Sequence, residues 1–258
     1  MDAKKNAGGK DPKRYPFEVA PPPIPKEKIK EVITTDVVVI GAGLAGLTAA
    51  GSAAEKGVKT ILLEKGDGPS FRGYGIAAVN NSLQRQEGIE VDRDKVITEL
   101  MTWSGYWADQ KIISLWADNS AGVIDWLADL AVAAGITPNK LKDIPQTIPG
   151  SPFNYTQIIG INLPGWNETV AKLLEKNAKE RGVDIRWNTP AKQLLRKGKG
   201  RVTGVIARNS IGDYIQFNAG KGVILCTGDY GHNPEMVKKY IAERATYFTD
   251  IFYGFDNR

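Results

Sequence analysis

Three closely spaced glycines and one glutamate are the residues of this chain whose types and spacing could bind a cofactor. Gly41, Gly43 and Gly46 form the pattern G-x-G-x-x-G directly after the apolar run Val37–Ile40. An alanine-rich segment follows, and a second apolar run ends at Glu64. Strand, glycine turn, helix, strand and terminal acid, in this order, form the βαβ arrangement that binds dinucleotides.

Each residue type in this motif has a mechanical role. Gly41 permits the tight turn, Gly43 lets the backbone approach a diphosphate, and Gly46 permits close helix packing. The free N–H groups and the positive end of the helix then face the phosphates. Glu64 is expected to accept hydrogen bonds from ribose hydroxyls, and its charge disfavours a 2′-phosphate. The predicted diphosphate-binding residues are Gly41, Ala42, Gly43, Leu44, Ala45 and Gly46.

A lone glycine motif is weak evidence, and the same stretch has a second interpretation as a membrane span. Residues 37–54 carry no charge, and their length is at the short limit for crossing a bilayer. The glycines and the β-branched residues at the start of the stretch favour a strand and a turn instead. We therefore predict dinucleotide binding and no transmembrane segment.

The remaining elements predict an α/β fold with a parallel, Rossmann-like sheet. Apolar stripes indicate helices within residues 92–134. Trp103 and Trp107 lie one helical turn apart there, and we expect them in the core rather than at a substrate site. Asn167 is the predicted N-cap of a helix that ends near Arg181.

The second half of the chain predicts more strands. Three strand-like runs within residues 193–217 indicate a β-meander inserted before a last core strand at residues 222–226. Asn233 and Pro234 are typical of the N-cap and first residue of a helix.

The positive charge of the chain is concentrated near its N-terminus. The 258 residues carry a formal net charge of +5, and residues 1–30 hold eight Lys and Arg against four acids, which gives 8 − 4 = +4. Residues 1–34 therefore predict a basic, proline-rich, flexible tail, and residues 35–258 a domain. The basic balance belongs to this tail and predicts no nucleic-acid-binding face.

One histidine and one cysteine exclude several kinds of site. They are too few for a Cys₂His₂-type zinc site, so no metal is predicted. His232 has no G-x-S-x-G motif to accompany it in a serine hydrolase. Cys226 lies in the last predicted strand and is expected to be a small buried residue rather than a reactive thiol. The cysteine count leaves the cellular compartment open.

Beyond these motifs, the chain resembles the flavoprotein-subunit family of fumarate reductases and succinate dehydrogenases. This family also includes urocanate reductases and ketosteroid dehydrogenases. In it, the acid after the second strand is followed by Lys and by a Gly-rich run ending in Ala-Ala, which lies against FAD. The positions that match are Glu64, Lys65, Ser70, Gly73, Gly75, Ala77 and Ala78. Further matches are Ala191, whose counterpart reads the adenine edge through its backbone, and Thr227–Gly228, whose counterparts contact FAD.

The resemblance implies an FAD-dependent oxidoreductase. Hydride would pass between flavin N5 and an activated C=C bond of a small-molecule substrate, and an electron-donor protein is a candidate partner. The FAD is expected to be noncovalent, because no histidine matches the position at which covalent members attach it. The family's substrate-binding histidines and proton-donating arginine lie beyond the matching region, so catalytic residues stay unknown here. We therefore expect an FAD-binding domain truncated before the capping domain, inactive and weak in FAD binding by itself.

Three other interpretations stay open at this point. The first is a ketosteroid-dehydrogenase-like flavoenzyme. The second is a non-catalytic flavin-binding half that assembles with a separate cap chain. The third, an NAD-dependent dehydrogenase, has little support because the second half shows no repeat of the mononucleotide-binding unit.

Overall fold

The computed structural model describes residues 15–71, 75–141, 160–231 and 233–240. The strands are β1 (Ile29–Ile40), β2 (Thr60–Leu63), β3 (Ile76–Ala77), β4 (Asn139–Leu141), β5 (Gly160–Asn162), β6 (Asp184–Arg186), β7 (Ala191–Arg196), β8 (Val202–Arg208) and β9 (Tyr214–Leu225). The α-helices are α1 (Leu44–Glu55), α2 (Ser82–Gln86), α3 (Arg93–Trp103), α4 (Gln110–Ala133), α5 (Trp166–Glu180) and α6 (Pro234–Tyr240).

The chain folds into two compact units. The first, which we call the sheet unit, comprises the described residues 15–41, 58–67, 185–231 and 233–240. The second, the helical unit, comprises the described residues 42–57, 68–71, 75–141 and 160–184.

A six-stranded sheet in the order β6-β2-β1-β9-β8-β7 forms the sheet unit. β1 pairs in parallel with both β2 and β9. β9, β8 and β7 then form an antiparallel meander. The predicted α/β class, with a parallel core and an inserted meander, is confirmed. All four residues of β2 are buried, as expected for a strand in the interior of a parallel sheet.

Two strands of this sheet are longer than predicted. β1 begins at Ile29, ahead of the predicted domain start at Thr35, and its first half pairs with the first half of β9. β9 is one continuous strand from Tyr214 to Leu225, where the sequence predicted two. The early part of β1 has mostly exposed residues, so it lacks the apolar run that marks a buried strand.

The segment just before β1 also has defined contacts. Residues 16–18 form a 3-10 turn, and the carboxylate of Glu18 pairs with Lys239 in α6. The Lys239 ammonium lies 5.5 Å from the ring centroid of Tyr15 and 5.6 Å from that of Phe17. Residues 15–18, assigned to the tail by composition, therefore dock on α6 through ionic and cation–π contacts.

Close packing of α1 against α5 organises the helical unit. A Cβ built on Gly51 of α1 would lie 3.2 Å from Asn177 Oδ1 and 3.8 Å from Ala178 Cα in α5. The missing side chain therefore lets the two helices approach. A second apolar cluster joins α3 and α4 and contains Val79, Val91, Val96, Ile97 and Ala117.

Two predictions for the helical unit were wrong. Trp103 is 59% exposed and Trp107 is 94% exposed, so neither is a core residue. Trp107 follows the end of α3, outside the periodic part of the helix. The N-cap of α5 is Gly165, with φ +63°, rather than Asn167, which lies within the helix. By contrast, Asn233 caps α6 as predicted, because its Oδ1 accepts from the N–H groups of Glu235 and Met236.

None of the helices in the described part of the chain is both long enough and apolar enough to cross a bilayer.

Gly204 provides a test of the meander. A Cβ at Gly204 in β8 would lie 2.3 Å from Phe217 O in β9, so Gly204→Ala should force the strands apart. We expect the free energy of unfolding to fall by about 1–3 kcal/mol in urea denaturation. Gly122→Ala is the control, because a Cβ there would have no atom within 4 Å and the position lies inside α4. It should raise stability by about 0.5–1 kcal/mol, and equal stabilities for the two variants would contradict the strand packing.

Asp36 makes the stability of the sheet unit dependent on pH. Its carboxylate accepts from the Lys59 backbone N–H at 3.0 Å and lies 3.3 Å from Lys221 Nζ. The Lys59 hydrogen bond, followed by Lys221, lowers the pKa of Asp36. The stabilisation is therefore present above the unfolded-state pKa of about 3.9 and is lost as the pH falls through the lower folded-state pKa.

We accordingly expect Asp36→Asn to be less stable than the parent chain at neutral pH. This difference should disappear in acid, as followed by urea denaturation across a pH series. Lys221→Ala should remove only the smaller part of the effect, because the Lys59 N–H remains. A stability difference for Asp36→Asn that is independent of pH would contradict this assignment.

Candidate cofactor site

Gly41 makes the turn that ends β1. Its N–H donates to Leu63 O at 2.8 Å, which continues the pairing with β2. Its φ is +101°, and a Cβ there would lie only 2.3 Å from Cys226 O, at the end of β9. Both the backbone conformation and the space therefore require glycine.

Gly43 begins the helix that follows the turn. It is the N-cap of α1, with extended φ −76° and ψ −172°, and it has no side chain to cap the helix. The first turn of α1 starts with Leu44, followed by Ala45 and Gly46, and it contains no acidic residue. The N–H groups of a first helical turn have no intrahelical acceptor, and the helix dipole is positive there. The amino end of α1 is therefore suited to an anion such as a diphosphate.

The geometry around Gly43 gives a direct test of fit for such a ligand. A Cβ at Gly43 would lie 3.5 Å from Ser70 O, an ordinary contact, and φ is negative. Among the described residues, no contact therefore requires glycine at this position. We expect that close approach of a ligand to the backbone requires it, as in dinucleotide-binding turns.

Glu64 is buried at the carboxyl end of β2 and is held by its neighbours. Its Oε1 accepts from the Gly66 N–H at 2.8 Å. Its own N–H donates to Arg186 O at 2.9 Å, and its carbonyl accepts from the Thr189 N–H at 2.7 Å. A carboxylate fixed in this way can accept hydrogen bonds from hydroxyl groups without first losing conformational freedom.

Three further predicted residues lie in the sheet unit. Ala191 begins β7 and pairs with Ala207 of β8. Thr227 and Gly228 follow Cys226, the first residue after β9, and Gly228 has φ +76°. Cys226 is half-buried beside them, and burial raises the pKa of its thiol. A raised pKa keeps the thiol neutral, in line with the prediction that it is not reactive.

The structure divides the predicted residues between the two units. Gly41, Glu64, Lys65, Ala191, Thr227 and Gly228 lie in the sheet unit. Ala42, Gly43, Leu44, Ala45, Gly46, Ser70, Gly75 and Ala77 lie in the helical unit, with Ala77 in β3. Gly73 and His232 lie outside the described residues. Within the described ranges, no group of three or more His, Cys, Asp or Glu side chains is arranged to hold a metal ion.

Two positioning features were missed by sequence reasoning. The carbonyl of Cys226 confines Gly41, and the Gly66 N–H holds the Glu64 carboxylate. A glycine two residues after the acid was a visible signal for the second. The first depends on where β9 ends in space, and no local pattern reports that.

Comparison with known proteins shows which cofactor the chain binds. A sequence model of the FAD binding domain matches residues 36–254. The chain belongs to this family. Its cofactor is FAD.

Two of the relatives are named as reductases. The vinyl phenol reductase of Lactiplantibacillus plantarum is 30% identical over 214 residues, which cover 79% of this chain and 40% of the relative. The urocanate reductase of Eggerthella lenta is 30% identical over 250 residues, which cover 94% of this chain and 39% of the relative. The chain thus spans about two fifths of the length of these relatives.

Solved structures agree with the fold. A flavocytochrome c3 fumarate reductase in an open conformation superposes with a TM-score of 0.67 at 28% identity, over 84% of this chain and 37% of that chain. The 3-ketosteroid-Δ4-(5α)-dehydrogenase of Rhodococcus jostii gives 0.66 at 22% identity, over 81% and 48%, and shows the fold alone. The predicted family, fold class and cofactor are confirmed, whereas the individual FAD contacts stay predictions.

Alanine substitutions separate the two glycines by function. Gly43→Ala should change the free energy of unfolding by no more than about 0.5 kcal/mol, because its Cβ would have only ordinary contacts. The same substitution should raise the Kd for FAD at least about tenfold, because the added methyl group would crowd the diphosphate. Gly41→Ala should lower the free energy of unfolding by about 2 kcal/mol or more. The new Cβ would clash with a backbone oxygen, and alanine is strained at the positive φ of this position.

Urea denaturation and FAD titration of the parent chain, Gly41→Ala and Gly43→Ala measure the free energy of unfolding and the Kd for FAD. Unchanged FAD affinity in a folded Gly43→Ala variant would show that the diphosphate does not lie against this backbone.

Proposed function

We propose that this chain is the FAD-binding part of a flavin-dependent oxidoreductase that reduces an activated C=C bond of a small molecule. The main support is the match of residues 36–254 to the FAD binding domain, together with urocanate, fumarate and vinyl phenol reductases among the relatives. When bound, FAD would supply hydride transfer through its N5 atom. The substrate of this chain is not named by that match, and we propose only the chemical class.

The residues of the chain would bind and orient the cofactor. The N–H groups at the amino end of α1 would donate to the diphosphate, with Gly43 giving it room. Glu64 would accept from the ribose hydroxyls, and the backbone of Ala191 would contact the adenine. The residues proposed for the flavin side are Lys65, Ser70, Gly73, Gly75, Ala77, Thr227 and Gly228.

The proposed cofactor is noncovalent. The sequence has a single histidine, His232, and it does not match the position at which covalent members of the family attach FAD. Acid precipitation of the loaded protein should therefore release all of the flavin into the supernatant.

A second function is a flavin-binding half that becomes active only with a separate capping chain. The observation that favours it is the set of residues that match the family, because all of them are proposed cofactor contacts and none is a matched proton donor. The proton needed at the second substrate carbon would then come from the other chain.

One experiment distinguishes these two functions from each other and from an NAD-dependent dehydrogenase. The chain is titrated with FAD and with NAD, and the flavin of the FAD complex is then reduced chemically and mixed without oxygen with fumarate or urocanate. Binding of FAD but not NAD supports the cofactor assignment, and substrate-dependent return of oxidised flavin absorbance supports a complete reductase. Return only after adding the C-terminal part of a relative supports the half-enzyme. Preferential binding of NAD would contradict both.

Glu64→Gln tests the proposed ribose contact. The amide can still accept from Gly66, but the charge-assisted bonds to ribose hydroxyls become neutral ones. We expect the Kd for FAD to rise by roughly tenfold. Glu90→Gln makes the same change at an exposed residue and should leave the Kd unaltered; equal effects of the two substitutions would rule out a specific role for Glu64.

A further inference from the structure

A second pocket lies in the sheet unit. It is an open groove with a volume of about 410 Å³, and Lys65, Lys192 and Arg208 are exposed. Its wall includes Lys65, Lys192, Arg208 and the tip of the β8–β9 hairpin at residues 209–212. We call it the lysine–arginine pocket. Neither Glu64 nor Ala191 lines it.

Long-range backbone hydrogen bonds hold the walls of this pocket together. The Asn188 N–H donates to Gly66 O at 2.7 Å, and the Arg208 N–H donates to Pro190 O at 3.1 Å. These bonds connect the segments that carry Lys65, Lys192 and Arg208. The hairpin tip is closed in turn by the Asp213 N–H, which donates to Asn209 Oδ1 at 2.8 Å. The cations are therefore carried on fixed backbone that comes from three parts of the chain.

The described wall of the pocket carries charge of one sign. Among its described residues, the three that are ionisable are all cations and none is acidic. In the part of the chain that the structure describes, neither Lys192 nor Arg208 forms an ion pair. The Nε of Arg208 donates to Gly212 O at 3.1 Å, which fixes the guanidinium and leaves its terminal N–H groups as donors. Such a fork suits phosphate oxygens.

We propose that the lysine–arginine pocket binds a small anion that carries phosphate groups. A multiply charged anion would pair with cations of this wall while accepting several hydrogen bonds. Asn188 and Ser210 add polar groups to the wall. The phosphate groups belong either to a free inorganic anion or to a nucleotide, and the test distinguishes these two sources.

The test titrates the chain with inorganic diphosphate and, separately, with AMP, using calorimetry. Sodium chloride at matched ionic strength corrects for general screening. Lys192→Ala should weaken binding about tenfold or more, and Lys192→Arg should retain most of it. Lys197→Ala is the matched control, because it removes the same charge from an exposed lysine of the same unit outside the pocket. Lys65 is left unchanged, since it is also a proposed FAD residue.

The glycine turn could also attract a diphosphate, so each titration is repeated with Gly43→Ala and with FAD present. Gly43→Ala should leave the diphosphate affinity unchanged. Because Lys65 is both a pocket residue and a proposed FAD residue, bound FAD should lower that affinity by the share of one lysine, about tenfold at most, and Lys192→Ala should still weaken the binding that remains. Tighter binding of diphosphate than of AMP identifies a free anion, and the reverse identifies a nucleotide. Three results would overturn the proposal: no heat beyond the chloride control, equal losses in the Lys192 and Lys197 alanine variants, or complete loss of diphosphate binding when FAD is bound.

Discussion

The parallel pairing of β1 with β9 is the constraint on which the sheet unit depends. The two strands pair from Ile29 with Tyr214 to Ile40 with Leu225, and the Cys226 N–H then donates to Ile40 O at 2.8 Å. At that point the chain leaves β1 directly beside the Cys226 carbonyl. Only a residue without a Cβ can pass there, which is why the turn begins with Gly41. The fold and the cofactor turn therefore share one steric requirement.

Gly43, the second glycine of the turn, has a different role. Gly43 starts α1 without a capping side chain, and the first turn of α1 carries no acid. Natural helices usually satisfy these N–H groups with a side-chain cap. A helix that begins on glycine is instead open to an external acceptor, and for a member of the FAD binding domain family we propose that this acceptor is the diphosphate of FAD. The Gly66 N–H fixes the carboxylate of Glu64, and we predict that this carboxylate accepts hydrogen bonds from the neutral ribose hydroxyls.

Much of this could be predicted from the sequence, because glycine spacing and apolar runs are local signals. The βαβ order, the meander and the cap of α6 were all visible in that way. The length of β1 was not, because its first half is mostly exposed and is stabilised by pairing with β9 rather than by burial. Helical spacing also placed Trp107 in the core, although it lies beyond the end of α3 and is exposed. The individual FAD contacts depend on spatial proximity, which residue patterns do not encode.

The most direct test of the account is to record backbone amide resonances of the isotope-labelled chain while FAD is added. If the diphosphate binds at the amino end of α1, the largest shifts should fall on the amides of Gly43, Leu44, Ala45 and Gly46, with a second group at Glu64 and Gly66. Saturable FAD binding that leaves these amides unshifted would contradict the central claim.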